Sequence, residues 1–291
     1  MFQDGLLDGE TILVTGGGTG LGYALAEKLL TLGATVHICG RRPGVLDEAV
    51  GKLRGVTGGE VFAHTADIRD AAAVNALCDA IWATGPLTGL VNNAAANFIS
   101  PTERLSSRGF DAIANTVFHG TFYVTHAVGS RWIADGAPGS VLSIVSTGTV
   151  NGAPFVVPSV MSKAAIEAMT RSLAIEWGRH GIRLNAIGPG LIPTEGASAR
   201  LMPGASIENL RDANPMKRLG TMSELQNLAV FMLARGCDWL TGQVVMLDGA
   251  HHLAHGSVYT PLLELDGEAW TQISARVRAQ DAVDKAKRAD G

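Results

Sequence analysis

Basic runs, long apolar stretches and a cysteine framework are all missing from this chain of 291 residues. Its net charge is −4 with no block of lysines and arginines, so it offers no electrostatic footprint for a nucleic acid. No apolar run approaches the roughly 20 residues that cross a bilayer. The opening residues, Met1-Phe2-Gln3-Asp4-Gly5, lack the basic and apolar regions of a signal peptide. The three cysteines, Cys39, Cys78 and Cys237, stand far apart, with neither metal-ligand spacing nor the density of a disulfide scaffold. They read as buried thiols in a reducing compartment, and the expected address is the cytoplasm. Charged residues are few, 17 % against 46 % hydrophobic, which excludes disorder and suits a large buried core. The length suits one α/β domain.

What the chain does have is alternation. Short β-rich runs predict strands at Thr11 to Thr15, Thr35 to Cys39, Val61 to His64, Leu87 to Val91, Ser140 to Val145, Ile182 to Ile187 and Gln243 to Leu247. Helical patterns fall between them, at Leu21 to Leu32, Val45 to Leu53, Ala71 to Trp82, Phe110 to Ala134 and Ser159 to Gly178. This predicts a doubly wound parallel sheet with helices on both faces, a single-domain Rossmann fold over residues 1–291. Residues 191–215, rich in Pro, Gly, Ala and Ser, read as a lid over a site. Residues 262–291 read as a polar, helical C-terminal extension ending in Lys285, Lys287 and Arg288.

The string Thr15-Gly16-Gly17-Gly18-Thr19-Gly20-Leu21-Gly22 joins the first strand to the first helix. In that context it predicts a dinucleotide cradle. Gly16 permits the sharp turn, Gly20 clears space for a pyrophosphate, and Gly22 lets helix and strand approach. The helix N-terminus faces the phosphates with free N–H groups. At the end of the second strand an acidic residue would bind a ribose 2′-hydroxyl. Arg41 and Arg42 stand there instead, and arginine suits a 2′-phosphate. The expected cofactor is therefore NADP(H) rather than NAD(H). Asp67 and Ile68 would border the adenine, and Asn93, Ala94 and Ala95 the adenosine ribose. Pro189 and Gly190 would approach the nicotinamide carboxamide, with Ile192 and Thr194 behind them.

Together these motifs resemble the short-chain dehydrogenase/reductase superfamily over essentially the whole chain. The stretch Asn92-Asn93-Ala94-Ala95-Ala96-Asn97-Phe98-Ile99-Ser100-Pro101-Thr102-Glu103-Arg104-Leu105-Ser106 is similar to its 2,4-dienoyl-CoA reductase branch. So are Phe155-Val156-Val157-Pro158-Ser159, and Gly196-Ala197 followed by Arg200-Leu201. The resemblance implies that Asn97 orients the substrate and that Ser159 and Lys163 are the serine and lysine of the catalytic set. It implies that Arg69, Phe98, Ser106 and Arg200 touch an acyl-CoA. Most of the superfamily has a tyrosine four residues before the lysine, where this chain has Ser159. The branch places its tyrosine earlier, and that position aligns with Gly148, beside the hydroxyls of Ser146, Thr147 and Thr149. The superfamily's helix asparagine is replaced by Val117. His119, two residues on, should point away from the face Val117 occupies and reads as structural or as an interface group. His251 and His252 follow the last strand, either at an interface or supporting the site from behind.

For a dienoyl thioester the resemblance implies hydride delivery to the far end of the conjugated system, with charge gathering on the thioester oxygen. Asn97 would donate a hydrogen bond there, and a missing second donor costs about 10²–10³ in rate. A serine-held water would be a poor acid in place of a phenol. Lys163 would hold the nicotinamide ribose. Arg69 and Arg200 read equally as partners of CoA phosphates or as surface ion-pair residues. The leading expectation is an NADP(H)-dependent oxidoreductase acting on a conjugated acyl thioester or related carbonyl. The alternatives are a cofactor-binding pseudoenzyme, or a non-redox isomerase, lyase or cyclase. Small residues on two long helices (Ala127, Gly129, Ala164, Ala165, Ala168, Ala174) predict close helix packing between subunits, in a homotetramer.

Overall fold

The computed structural model describes residues 1–193, 206–254, 262, 264–273 and 275–276. Seven parallel strands form one sheet: β1 (Thr11–Thr15), β2 (Thr35–Gly40), β3 (Val61–Thr65), β4 (Gly89–Asn92), β5 (Gly139–Ile144), β6 (Ile182–Pro189) and β7 (Val244–Leu247). Their order is β3-β2-β1-β4-β5-β6-β7. The pleat sends alternate side chains to opposite faces. Ile12 and Val14 of β1 therefore join one apolar cluster, while Leu13 between them joins the other. Burial on both faces explains why these strands read as continuous apolar runs.

The first cluster is closed by α1 (Gly20–Thr31), α2 (Pro43–Thr57) and a helix over Met222–Leu233. The second is closed by α3 (Ala71–Trp82), and by helices at Gly120–Asp135 and Val157–Trp177. In chain order the later helices are α4 (Ser107–Ala114), α5 (Gly120–Asp135), α6 (Gly148–Asn151), α7 (Val157–Trp177), α8 (Ile207–Asp212) and α9 (Met222–Leu233). The order of strands reverses between β1 and β4. Ligands bind sheets of this kind at the carboxyl ends beside such a reversal.

The helices depart from expectation in two places. The single helix expected from Phe110 to Ala134 is α4 and α5 joined by a π-helical turn, Asn115–His119. It begins earlier, at Ser107, because the Ser106 Oγ accepts the Gly109 N–H at 3.1 Å as an N-cap. A whole helix, α9, was not anticipated from the sequence. Its start is a capping box: the Thr221 hydroxyl accepts from Glu224 N while the Glu224 carboxylate accepts from Thr221 N. The lid expected over 191–215 contains the short helix α8, and its residues 194–205 lie outside the described residues.

Of the small residues assigned to subunit packing, Ala127, Gly129 and Ala174 are buried within the chain itself. A Cβ on Gly129 would overlap the Trp177 ring, so this glycine admits a core tryptophan. Exposed instead are Phe118 of the π-helical turn and Phe122 of α5, with His119 against Phe118 and Tyr123. The chain divides into two compact units, Met1–His252 and Leu253–Gly291, and the sheet belongs to the first. In the second, residues 267–273 are helical. The basic end, Lys285, Lys287 and Arg288, lies outside the described residues.

Candidate active site

A cleft of about 540 Å³ opens at the carboxyl ends of the strands. Its first wall is the glycine loop, where Gly16, Gly18, Thr19, Gly20 and Leu21 line the space. Gly20 has φ +57°, and a Cβ there would meet no atom within 4 Å, so the backbone faces open cleft at the N-terminus of α1. Gly22 works differently: its Cβ would stand 2.4 Å from the Asn93 Nδ2 and from Gly16 O. It is a packing glycine and does not line the cleft.

Thr15, expected to touch the cofactor, is likewise a brace. Its Oγ1 accepts the N–H groups of Asn93 (3.0 Å) and Ala94 (3.1 Å) and donates to Val91 O. The Asn93 amide donates in turn to Thr15 O at 3.0 Å. The residue ties the glycine loop to the exit of β4, which puts Asn93, Ala94 and Ala95 on the cleft wall.

Arg41 and Arg42 line the far end, exposed, and neither makes an ion pair among the described residues. Asp67 also lines this end, beside the buried Ile68, but its charge is committed. Arg69 grips it through Nε (2.9 Å) and Nη2 (2.5 Å). The Arg69 hydrogen bond holds the Asp67 carboxyl below the usual range. Of the two readings of Arg69, the structure shows the ion pair.

At the other end Asn97, Ser146, Ser159, Lys163, Pro189 and Gly190 line the same cleft, with Ile192 beside them. Ser159 and Lys163 are four residues apart on α7 and so share a face. Lys163 is buried, its Nζ donating to Ile144 O. Burial disfavours the ammonium and pulls its pKa from 10.5 to about 8. Asn97 Oδ1 is shut off from solvent without a hydrogen-bond partner among the described residues. That oxygen can only accept, so it marks an amide that no described residue fixes through its Oδ1.

Several expected contacts fall elsewhere. Phe98, Ser106 and Gly148 do not line the cleft. Ser106 caps α4, and Phe98 packs toward Gly109. A Cβ on Gly148 would sit 3.1 Å from Ala153 and 3.2 Å from Val160, so this position is crowded by α7 rather than open to a ligand. Tyr23 and Tyr123 are not in the lining. Tyr259, Thr194 and Arg200 lie outside the described residues.

Sequence reasoning missed Thr116, which the π-helical turn directs into the cleft while Val117 enters the core. It also missed Cys39, Leu46 and Ala66, which wall the end near Arg41, and Leu191 beside Gly190. Periodicity could not have found them, because strand ends and π turns are departures from regular spacing. Glu167, one turn past Lys163, is a buried carboxylate that meets Arg171 through Oε2 at 3.4 Å and whose Oε1 has no partner among the described residues.

The residues present fit a nicotinamide dinucleotide. The loop offers backbone N–H groups over open space, Arg41 and Arg42 make no ion pair among the described residues, and the buried lysine and amide lie at the opposite end. Among the described residues no helix is long and apolar enough to cross a membrane.

Residues 16–252 match the family model described as enoyl-(acyl carrier protein) reductase. An uncharacterised oxidoreductase of Caenorhabditis elegans is 43 % identical, over 97 % of this chain and 92 % of its own length. A protein of the same organism named as a probable (3E)-enoyl-CoA-producing 2,4-dienoyl-CoA reductase is 39 % identical, over 98 % and 94 %. Among solved structures, a Burkholderia cenocepacia gluconate 5-dehydrogenase in complex with NADP and tartrate superposes with a TM-score of 0.79. It is 29 % identical, covering 85 % of this chain and 97 % of that one.

Proposed function

The chain belongs to the short-chain dehydrogenase/reductase superfamily and is an enzyme of that class, and from this premise we propose that it is an NADPH-dependent reductase of 2,4-dienoyl-CoA thioesters. What supports the reading is one continuous cleft with Arg41 and Arg42, which make no ion pair among the described residues, at one end and Asn97, Ser159 and Lys163 at the other. The relative named as a 2,4-dienoyl-CoA reductase supports the substrate class, and the neighbour holding NADP supports the cofactor. These names also favour turnover over a protein that only binds cofactor.

When bound, the reduced nicotinamide supplies a hydride to the far carbon of the conjugated system. The chain's residues do the rest. Backbone N–H groups of residues 18–21 and the start of α1 bind the pyrophosphate, and Arg41 and Arg42 bind the 2′-phosphate. Lys163 holds the nicotinamide ribose, and Pro189, Gly190 and Ile192 seat the carboxamide. The Asn97 Nδ2 donates to the thioester oxygen as negative charge develops there, an oxyanion contact set by the rigid exit of β4. Ser159 orders a water between Lys163 and the α-carbon of the substrate, and that water delivers the proton. This route suits an enolate, whose carbon can wait for a weak acid. It suits a simple ketone less well, because an alkoxide needs its proton as it forms.

The protein is a homotetramer in this reading, with the exposed Phe118 of the π-helical turn and Phe122 of α5 covered by neighbouring copies. Light scattering at micromolar concentration tests this, and the mass of one 30.3 kDa chain would refute it. The function itself is tested by following NADPH oxidation with a 2,4-dienoyl-CoA and identifying the product. Tight NADPH binding with no consumption would overturn it.

A further inference from the structure

The chain does something unusual directly after β7. Gly249 and Ala250 both take left-handed backbone, φ +63° and +66°. Glycine adopts it freely and alanine rarely. The two residues wind the chain back on itself, so that Asp248 Oδ2 accepts both the His252 backbone N–H (2.7 Å) and the His252 ring Nδ1–H (2.9 Å). A carboxylate can only accept, which assigns the ring proton to Nδ1. The Asp248 side chain is 2 % exposed and that of His252 15 %. Two donors on one buried oxygen fix the imidazole in a single orientation.

This pair is a junction. Asn151, at the end of α6, donates its Nδ2 to His252 O at 2.9 Å. Asn214, between α8 and α9, donates to Asp248 O at 2.8 Å and accepts the Met216 N–H at 2.9 Å. Gly190, on the cleft wall, lies so close that a Cβ there would stand 2.5 Å from the Asp248 Cβ. Four separate segments therefore meet at Asp248 and His252, and one of them, at Gly190, lines the cleft. Among the described residues other than glycine, positive φ occurs at Phe155, Lys217 and Ala250. Ala250 lies inside the junction, Lys217 follows Met216, and Phe155 follows α6 by four residues. Backbone of this kind persists where surrounding contacts over-determine it, and it gathers at ligand sites.

We propose that Asp248 and His252 form a clasp that holds the substrate-side rim of the cleft, with His252 as a positioning residue that acts through Asn151 and Asp248. The clasp fixes α6 and the 214–217 turn relative to Gly190, and so shapes the opening through which the acyl thioester enters. The identity of that ligand rests on the proposed function; the clasp rests on the geometry alone.

The test compares His252→Ala with His252→Asn, whose amide can replace the Nδ1–H donor. With NADPH and a 2,4-dienoyl-CoA, His252→Ala raises KM roughly tenfold, the loss of one charge-assisted contact, while kcat and the NADPH Kd stay within about twofold. His252→Asn returns KM toward the parent value. An unchanged KM would overturn the proposal. So would a joint fall in kcat, NADPH affinity and Tm, or an asparagine no better than alanine. Amide hydrogen exchange gives an answer that needs no turnover. Protection at 148–152 and 214–218 falls in the alanine variant and recovers in the asparagine variant; unaltered protection in His252→Ala overturns the clasp. A parent protein without reductase activity would overturn the proposed substrate and leave the exchange result to decide the clasp.

Discussion

Replacing Arg41 by alanine is the sharpest probe of cofactor choice. Arg41 lines the cleft, is exposed and makes no ion pair among the described residues; the charge of nearby Asp67 reaches it, but the Asp67 carboxylate is hydrogen-bonded to Arg69 at 2.5 Å. A guanidinium placed this way has no close ion pair among those residues to give up before it meets a 2′-phosphate. A charge-assisted hydrogen bond contributes about 1.5–3 kcal/mol when sheltered. Exposure and side-chain ordering reduce that, so about 1.5 kcal/mol is a fair expectation at this open end of the cleft. NADPH should thus bind roughly tenfold more weakly to Arg41→Ala than to the parent, with NADH nearly unaffected. Fluorescence titration of both cofactors at two salt concentrations measures this, and the NADPH preference should shrink as salt rises. Equal dissociation constants for NADPH and NADH in the parent would refute the reasoning. A variant that loses both cofactors equally would show instead that Arg41 supports the loop.

Three further outcomes are expected. Asn97→Ala should lower kcat/KM for a 2,4-dienoyl-CoA by about 2.7–4 kcal/mol, the cost of one oxyanion donor, and Ser159→Ala by less; a larger loss in the serine variant would move the proton-donor role to Ser159. Lys163 titrates near 8 in the folded chain and near 10.5 unfolded, so between those values the unfolded chain holds a proton that the folded one has released. Stability should rise with pH across that window, by about 3 kcal/mol in all, and Lys163→Met should abolish the rise in denaturant titrations. His37 gives the same sign of slope at lower pH. It is buried, hydrogen-bonded to His64 at 2.8 Å, and desolvation lowers its pKa from 6.5 to about 4. As pH falls through that range the unfolded chain gains a proton the folded one refuses, and stability falls with it; a variant His37→Asn that keeps the same acid limb would contradict this.

The fold was legible where its physics is periodic. Strands buried on both faces announce themselves as apolar runs, and β1 and α3 fall on the residues expected. The cradle was legible because glycine at positions 16, 20 and 22 has few other uses between a strand and a helix. What stayed hidden depends on contacts across the sequence. Thr15 looks like a ligand-facing hydroxyl until β4, some 80 residues on, supplies the N–H groups it accepts. Arg69 looks like a phosphate partner until Asp67 is found beside it. The π-helical turn leaves no trace in the helical pattern, yet it decides that Thr116 and not Val117 meets the cleft. The start of α9 is a different case. Thr221 and Glu224 are a capping box readable in the sequence, three residues apart ahead of an apolar stretch.

The brace at Thr15 has a thermodynamic consequence. Its hydroxyl and the Asn93 amide lock the turn of the glycine loop to the segment that, four residues later, carries Asn97. A ligand that stiffens the loop also stiffens the donor at the other end of the cleft. Two ligands sharing one strut are energetically coupled, and the coupling is the same whichever binds first. On the proposed function, dinucleotide and acyl thioester would each bind more tightly in the presence of the other, and Thr15→Val, which removes the brace, should weaken that mutual effect.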